Sequence, residues 1–235
     1  MLNKKILVVG SVFYAKAVEG LGQITSNVKD FYDNPAEFSL VLFTGGADVG
    51  PELYGDTSPK HYCADSPERD VFESKIFHHA RKFGIRMTGI CRGSQFINVM
   101  SGGRMLHHIT GHGGDHTFGC HLTEDVIVVT STHHQMCIPG KGGHVVGWSA
   151  QRRSRLYLGW ADEAEDYTGP EVEAILYPDT LCFGVQYHPE FMDKRSDGYL
   201  WYWQAVKEFL TLSIEEFTKL YTEVSNARIE VGAAV

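Results

Sequence analysis

The sequence predicts an α/β fold, an open, mostly parallel sheet with helices on both faces. Three observations carry this. The strand candidates are continuous apolar runs rather than polar–apolar alternations, which suits strands covered on both sides. Segments of helical period lie between them. The glycines, a cysteine and a histidine stand just after the runs, where ligands sit in such sheets, beyond the carboxyl ends of the strands.

Ile6-Leu7-Val8-Val9 is the first strand and Leu40-Val41-Leu42-Phe43 the next. From Pro67 to Phe83, the residues Phe72, Ile76, Ala80 and Phe83 recur at spacings of four and three, and Gly84 follows as a helix stop. Ile85 to Ile90 is a strand, and Arg92 to Met100 a helix ended by Ser101-Gly102-Gly103. Val126 to Val129 and Cys182 to Tyr187 are further strands. Gly198 to Val224 reads as one or two helices with Leu200, Trp203, Val206, Phe209 and Leu210 on one face, and the aromatics of Tyr199 to Trp203 read as helix packing. The end, Gly232 to Val235, reads as frayed.

The 235 residues fit a single domain, 1–235, with a core over about 5–211 and a helical tail over 212–235. Hydrophobic residues make up 43% and charged residues 21%, enough to bury a core. A net charge of -8 disfavours a general grip on nucleic acid or an anionic membrane. The basic run Gln151 to Arg155 is followed closely by Asp162, Glu163, Glu165 and Asp166, so it reads as a solvated hairpin or loop. No apolar run approaches the ~20 residues of a membrane span, and the start, MLNKKILVVG, is too short for a signal-peptide core. Five cysteines, odd in number and without a CxxC, point to free thiols in a reducing, cytoplasmic setting.

Gly89-Ile90-Cys91-Arg92-Gly93 has the form of a nucleophile elbow, a tight strand-to-helix turn. The helix N-terminus would favour a thiolate at Cys91, and the Arg92 N–H would face an oxyanion forming beside the sulfur. On the elbow alone, a buried structural cysteine is an equal reading. His188-Pro189-Glu190 follows the last strand. Proline there blocks a helix and implies an extended segment, in which Glu190 reaches back to one nitrogen of His188 while the other faces the thiol. The turn Gly45-Gly46-Ala47-Asp48 could lend the Gly46 N–H to the same oxyanion, though tight turns need glycine anyway. No Gly-Lys-Ser/Thr and no GxGxxG is present, so no nucleotide cofactor is expected. His107, His108, His112, His116 and His121 crowd one segment, 107–121, that reads as a loop. The spacing of His112 and His116 would suit a metal on a helix, but Gly113-Gly114 argues against a helix, so the histidines are expected to border the active site and no metal is expected.

Together, "GGADVGPELYG", "PERDVFE", "GICRGSQFINVMSGG", "THHQ" at Thr132 to Gln135, "EA" at Glu173-Ala174 and "GVQYHPE" resemble the class I glutamine amidotransferase-like superfamily, in particular its γ-glutamyl-γ-aminobutyrate hydrolase-like branch, peptidase family C26. "FYAKAVEGLG" is similar to the family's segment after the first strand, and the likeness runs in order from about residue 5 to 191. The resemblance implies a flavodoxin-like fold and a cofactor-free hydrolase of γ-glutamyl amide bonds. In it Cys91 is the nucleophile, His188 the base and Glu190 its orienter, with Gly46 and Arg92 forming the oxyanion hole. Gln95 would lie against the glutamyl group, and His133, His134 and Gln135 would line the pocket rim. The substrate is glutamine or a γ-glutamyl amine. An alternative is the glutaminase subunit of an amidotransferase that feeds a separate synthetase, and a homodimer is also left open. A non-catalytic binding module ranks last, because Cys91, His188 and Glu190 are all present. Residues 147–174 depart from the family pattern and read as a longer hairpin, a lid or a partner surface.

Overall fold

In the first strand, β1 (Lys5–Val9), successive side chains enter different cores: Ile6 and Val8 pack into one, Leu7 and Val9 into the other. The computed structural model describes residues 4–57, 62–122 and 126–232, with side chains to residue 223. After β1 come β2 (Gln23–Thr25), α1 (Val28–Asp33), β3 (Phe38–Phe43), α2 (Pro67–Lys82), β4 (Arg86–Ile90) and α3 (Arg92–Met100). Then follow β5 (Arg104–Leu106), β6 (His108–Ile109), β7 (Gly113–Cys120), β8 (Ile127–Thr132), β9 (Met136–Ile138), β10 (His144–Ser149) and β11 (Tyr157–Leu158). The chain closes with β12 (Val172–Tyr177), β13 (Cys182–Val185), α4 (Asp197–Thr211) and α5 (Ile214–Gly232). Of the frayed end expected from Gly232, residues 233–235 lie outside the described residues, and Gly232 is the last residue of α5.

The main sheet runs β2-β1-β3-β4-β13-β12-β10-β7-β8. Its first five strands are parallel. Counting β13 as the fifth, they follow the flavodoxin-like order 2-1-3-4-5. An antiparallel wing, β12, β10, β7 and β8, extends from β13. Two-stranded ribbons, β5 with β9 and β6 with β11, stand apart from it. Helices α1, α2 and α3 give Phe31, Ile76, Phe77, Phe96 and Ile97 to one face of the sheet. Helices α4 and α5 give Tyr202, Val206, Phe209, Phe217 and Tyr221 to the other. The apolar runs are continuous because both faces are covered.

Three expectations change. Helix α2 does not bury Phe72 or Phe83, which are 46% and 47% exposed; it turns Asp70, Glu73, Ile76, Phe77 and Ala80 inward. In α4, Leu200 is 46% exposed, and Tyr199, Trp201 and Tyr202 are buried with Val206, Phe209 and Leu210. The histidine-rich segment is not a loop but holds β6 and β7. Residues 150–171 form an excursion between the paired strands β10 and β12, with β11 clipped to β6. The excursion walls its own cleft of about 450 Å³, lined by Arg152, Tyr157, Glu165 and Tyr167 among others.

Candidate active site

Register sets the site. Phe43 pairs with Gly89, and Ile90 pairs with Val185, so three neighbouring strands end side by side. The glycine turn, Cys91 and the His188 segment come just past those three ends. The Cys91 N–H bonds the Val185 carbonyl at 2.8 Å, and the chain then breaks into α3 with Cys91 at φ +53° and ψ −112°. Such a conformation is strained for a residue with a Cβ and is held only by tight surroundings. The glycines supply that tightness: a Cβ on Gly89 would sit 2.3 Å from the Gly93 carbonyl, and one on Gly93 2.0 Å from the Phe43 oxygen. The Arg92 N–H lies in the first turn of α3, where amides have no partner within the helix.

His188 lies beside Cys91. Its Nδ1 meets Glu190 Oε1 at 2.7 Å and its Nε2 meets Thr132 Oγ1 at 2.9 Å, while its ring stacks on Phe191 at 4.9 Å. Burial disfavours its charge, but hydrogen bonds to Cys91 and Glu190 outweigh that and raise His188 to about 10. The segment is not extended as expected: Pro189 opens a short 3-10 turn, Pro189–Phe191, and that turn swings Glu190 back under the ring. Tyr14 closes the other side; burial, then the Glu190 charge, pushes its phenol upward and keeps it protonated.

These groups line a cavity of about 380 Å³ with Gly46, Asp48, Gln95, Thr132, His133, His134 and Phe191. Gln95 is buried and donates from Nε2 to the Gln135 carbonyl at 3.3 Å. His134 stands at the rim with its Nε2 3.3 Å from Asp48 Oδ1. His133 is an inner-wall residue whose Nε2 lies 3.2 Å from Glu173. Gln135 does not line the cavity as expected; it is fully buried and donates to the Tyr62 carbonyl at 3.3 Å.

The glycine turn is gripped from behind. Arg69 donates to the carbonyls of Thr44 at 2.8 Å and Gly45 at 3.0 Å, and to Glu73 at 2.7 Å. A trans peptide points its N–H opposite its carbonyl, so the Gly46 N–H faces away from Arg69. The Arg92 side chain is buried in ion pairs with Asp70 and Glu73, and Asp70 also accepts the Gly50 N–H at 2.9 Å. The motif "PERDVFE" thus fastens the glycine turn to the base of α3. Sequence reasoning missed Tyr14, Asp48 and Thr132 as cavity residues. All three lie within segments quoted above for their family likeness, but nothing in those segments marks which side chains face the cavity.

A model of the Peptidase C26 family matches residues 23–190. The chain is 32% identical over 157 residues to "Putative glutamine amidotransferase Rv2859c" of Mycobacterium tuberculosis, a match covering 64% of this chain and 50% of that protein. It is 28% identical over 106 residues to the carbamoyl phosphate synthase small chain of Methanopyrus kandleri, covering 45% of this chain and 26% of that one. The chain thus matches about half the length of the first relative and a quarter of the second. A solved glutamine amidotransferase from Thermotoga maritima has a similar fold, with a TM-score of 0.56, 15% identity and coverage of 96% of this chain and 94% of that one.

Proposed function

Because this chain belongs to the peptidase C26 family, we propose that it hydrolyses γ-glutamyl amide bonds through a cysteine thioester. The observation that carries the reading is His188, bonded to Glu190 and sharing the cavity with Cys91. His188, which Glu190 orients, holds the thiol's proton before attack, and the Cys91 sulfur then attacks the amide carbon. The Gly46 and Arg92 N–H groups hold the tetrahedral oxyanion. His188 then protonates the departing nitrogen, leaving a γ-glutamyl thioester. Water, activated by the same imidazole, releases glutamate and restores the thiol. Gln95 contacts the glutamyl end, and Asp48 with His134 faces the departing amine at the rim. All five cysteines are free, which supports a reducing, cytoplasmic setting; no helix of the described residues is long and apolar enough to cross a membrane.

Cys91→Ala or Cys91→Ser abolishes glutamate release from glutamine and from γ-glutamyl amines; turnover at the parent rate would sink the thiol mechanism. The second reading, a glutaminase subunit serving a separate synthetase, is favoured by the likeness to a carbamoyl phosphate synthase small chain. A panel of γ-glutamyl amines separates the two. Turnover of conjugates by the isolated chain supports the hydrolase, and turnover of glutamine that awaits an added synthetase supports the subunit.

A further inference from the structure

Behind the inner wall of the cavity, three imidazoles converge on one carboxylate oxygen. Glu173 Oε1 lies 3.0 Å from His112 Nδ1, 2.9 Å from His116 Nε2 and 3.2 Å from His133 Nε2. All four side chains are fully buried. His112 and His116 share one side of an extended segment, since residues four apart on a strand face the same way. The glycines that forbid a helix here therefore do not separate them.

The partners of each ring show which of its nitrogens faces the carboxylate. The outer nitrogen of each ring also meets an oxygen: His133 Nδ1 the Gln135 carbonyl at 2.8 Å, His112 Nε2 Glu171 Oε2 at 3.1 Å, and His116 Nδ1 the Gly114 carbonyl at a long 3.5 Å. A carbonyl oxygen only accepts, so the outer nitrogen carries the hydrogen, and a neutral ring then aims its inner lone pair at Glu173. Lone pair facing carboxylate is repulsive. Protonating every ring would bury three cations against two carboxylates, and protonating only two would balance the charge but leave one lone pair still facing Glu173. A divalent cation replaces the three inner protons and leaves the cluster neutral. Outer N–H groups fixed by oxygen acceptors are also how metal-bound histidines are usually oriented. Among the described residues, Glu173 Oε2 has no hydrogen-bond partner, although it is wholly buried. The ligand atoms of His112, His116 and Glu173 lie within 4.8 Å of one another. Two ligands of one tetrahedral ion, each about 2.0–2.2 Å from it, stand about 3.4 Å apart.

We propose that His112, His116 and Glu173, with His133 as a fourth donor, bind a divalent first-row transition ion such as zinc. The nitrogen- and oxygen-only donor set suits zinc over calcium or magnesium. The ion ties the start of β7 and the turn after β8 to β12. It would brace His133 and the Gln135 carbonyl that holds Gln95, and so stiffen the cavity wall without touching the reacting atoms.

Metal content tests this without any assay of turnover. The Cys91→Ser protein is used, so that the cavity thiol cannot bind the probe. Purified from zinc-supplemented culture, it is expected to hold about one zinc per chain by elemental analysis. His116→Ala and Glu173→Gln should each hold at least about tenfold less. Grown on cobalt, the Cys91→Ser protein should show visible d–d absorption with no thiolate-to-cobalt charge-transfer band. A content below about a tenth of an equivalent, equal content in the variants, or a thiolate band would each overturn the proposal. Should either ligand variant fail to fold, Glu171→Gln, which reaches the ion only through His112, gives the second reading: roughly tenfold faster zinc loss to a chelator supports the site, and unchanged loss counts against it.

Discussion

At His188 burial and hydrogen bonding oppose each other, and the bonds to Cys91 and Glu190 win, raising the ring to about 10. Glu190→Gln removes a carboxylate from Nδ1 and should lower the alkaline limb of kcat/KM by roughly one pH unit or more. A limb that stays in place would show that Glu190 does not set the charge of His188. The same shift bears on stability. A histidine raised above its ordinary 6.5 contributes fully below that pH, and the contribution fades as pH rises through about 10. Unfolding free energy should therefore fall between those limits more steeply in the parent than in His188→Ala, as followed by urea denaturation. The meeting of Cys91, His188 and Glu190 was legible because each sits in a short motif after a strand. Thr132, Asp48 and Tyr14 were not read as cavity residues. They are ordinary polar types brought in by pairing over long sequence distances, and only the fold reveals which of them face the cavity. The 3-10 turn at Pro189 escaped for a related reason: proline forbids a helix at His188 but suits the first position of a turn.

Among the elements, α2 departs furthest from its sequence pattern. A search for apolar periodicity selects Phe72 and Phe83, yet the helix turns Asp70 and Glu73 inward to meet Arg92 and Arg69. Hydrophobic period is blind to a buried charge that brings its own partner. Glu73→Gln leaves buried guanidinium charge unmatched and should cost about 3–5 kcal/mol in urea unfolding. A loss under about 1 kcal/mol would mean that the pairs are solvated. The elbow between β4 and α3 makes a sharper demand. Gly93→Ala drives a methyl into the Phe43 carbonyl and should cost about 1–3 kcal/mol while displacing Cys91. Slower alkylation of Cys91 by iodoacetamide than in the parent would confirm the displacement, and an unchanged rate and stability would refute it. Strand β7 could not be read from its residues, because Gly113, Gly114 and Gly119 dilute any strand signal.

For the molecule as a whole, β1, β3, β4 and β13 of the parallel part and β8 of the wing were legible in their apolar runs; β2 and the rest of the wing were not, since their pairings depend on partners far along the chain. The last helix belongs to the body: Phe217 and Tyr221 of α5 are buried against Phe183 of β13. Phe217→Ala should cost about 3–5 kcal/mol and move one cooperative transition, with circular dichroism and tryptophan fluorescence coinciding. A separate early melting of α5 would show that it is an appendage. The excursion from 150 to 171 has a different standing. It leaves β10 and returns to β12, strands already paired to each other, and none of its residues lines the cavity that holds Cys91. Insertions in its outer part, away from Glu171 and the residues that hold it, are expected to leave the reacting groups in register. Such a segment gives a lineage room to acquire new molecular neighbours under weak selection, and gives an engineer a place to graft a reporter or tether.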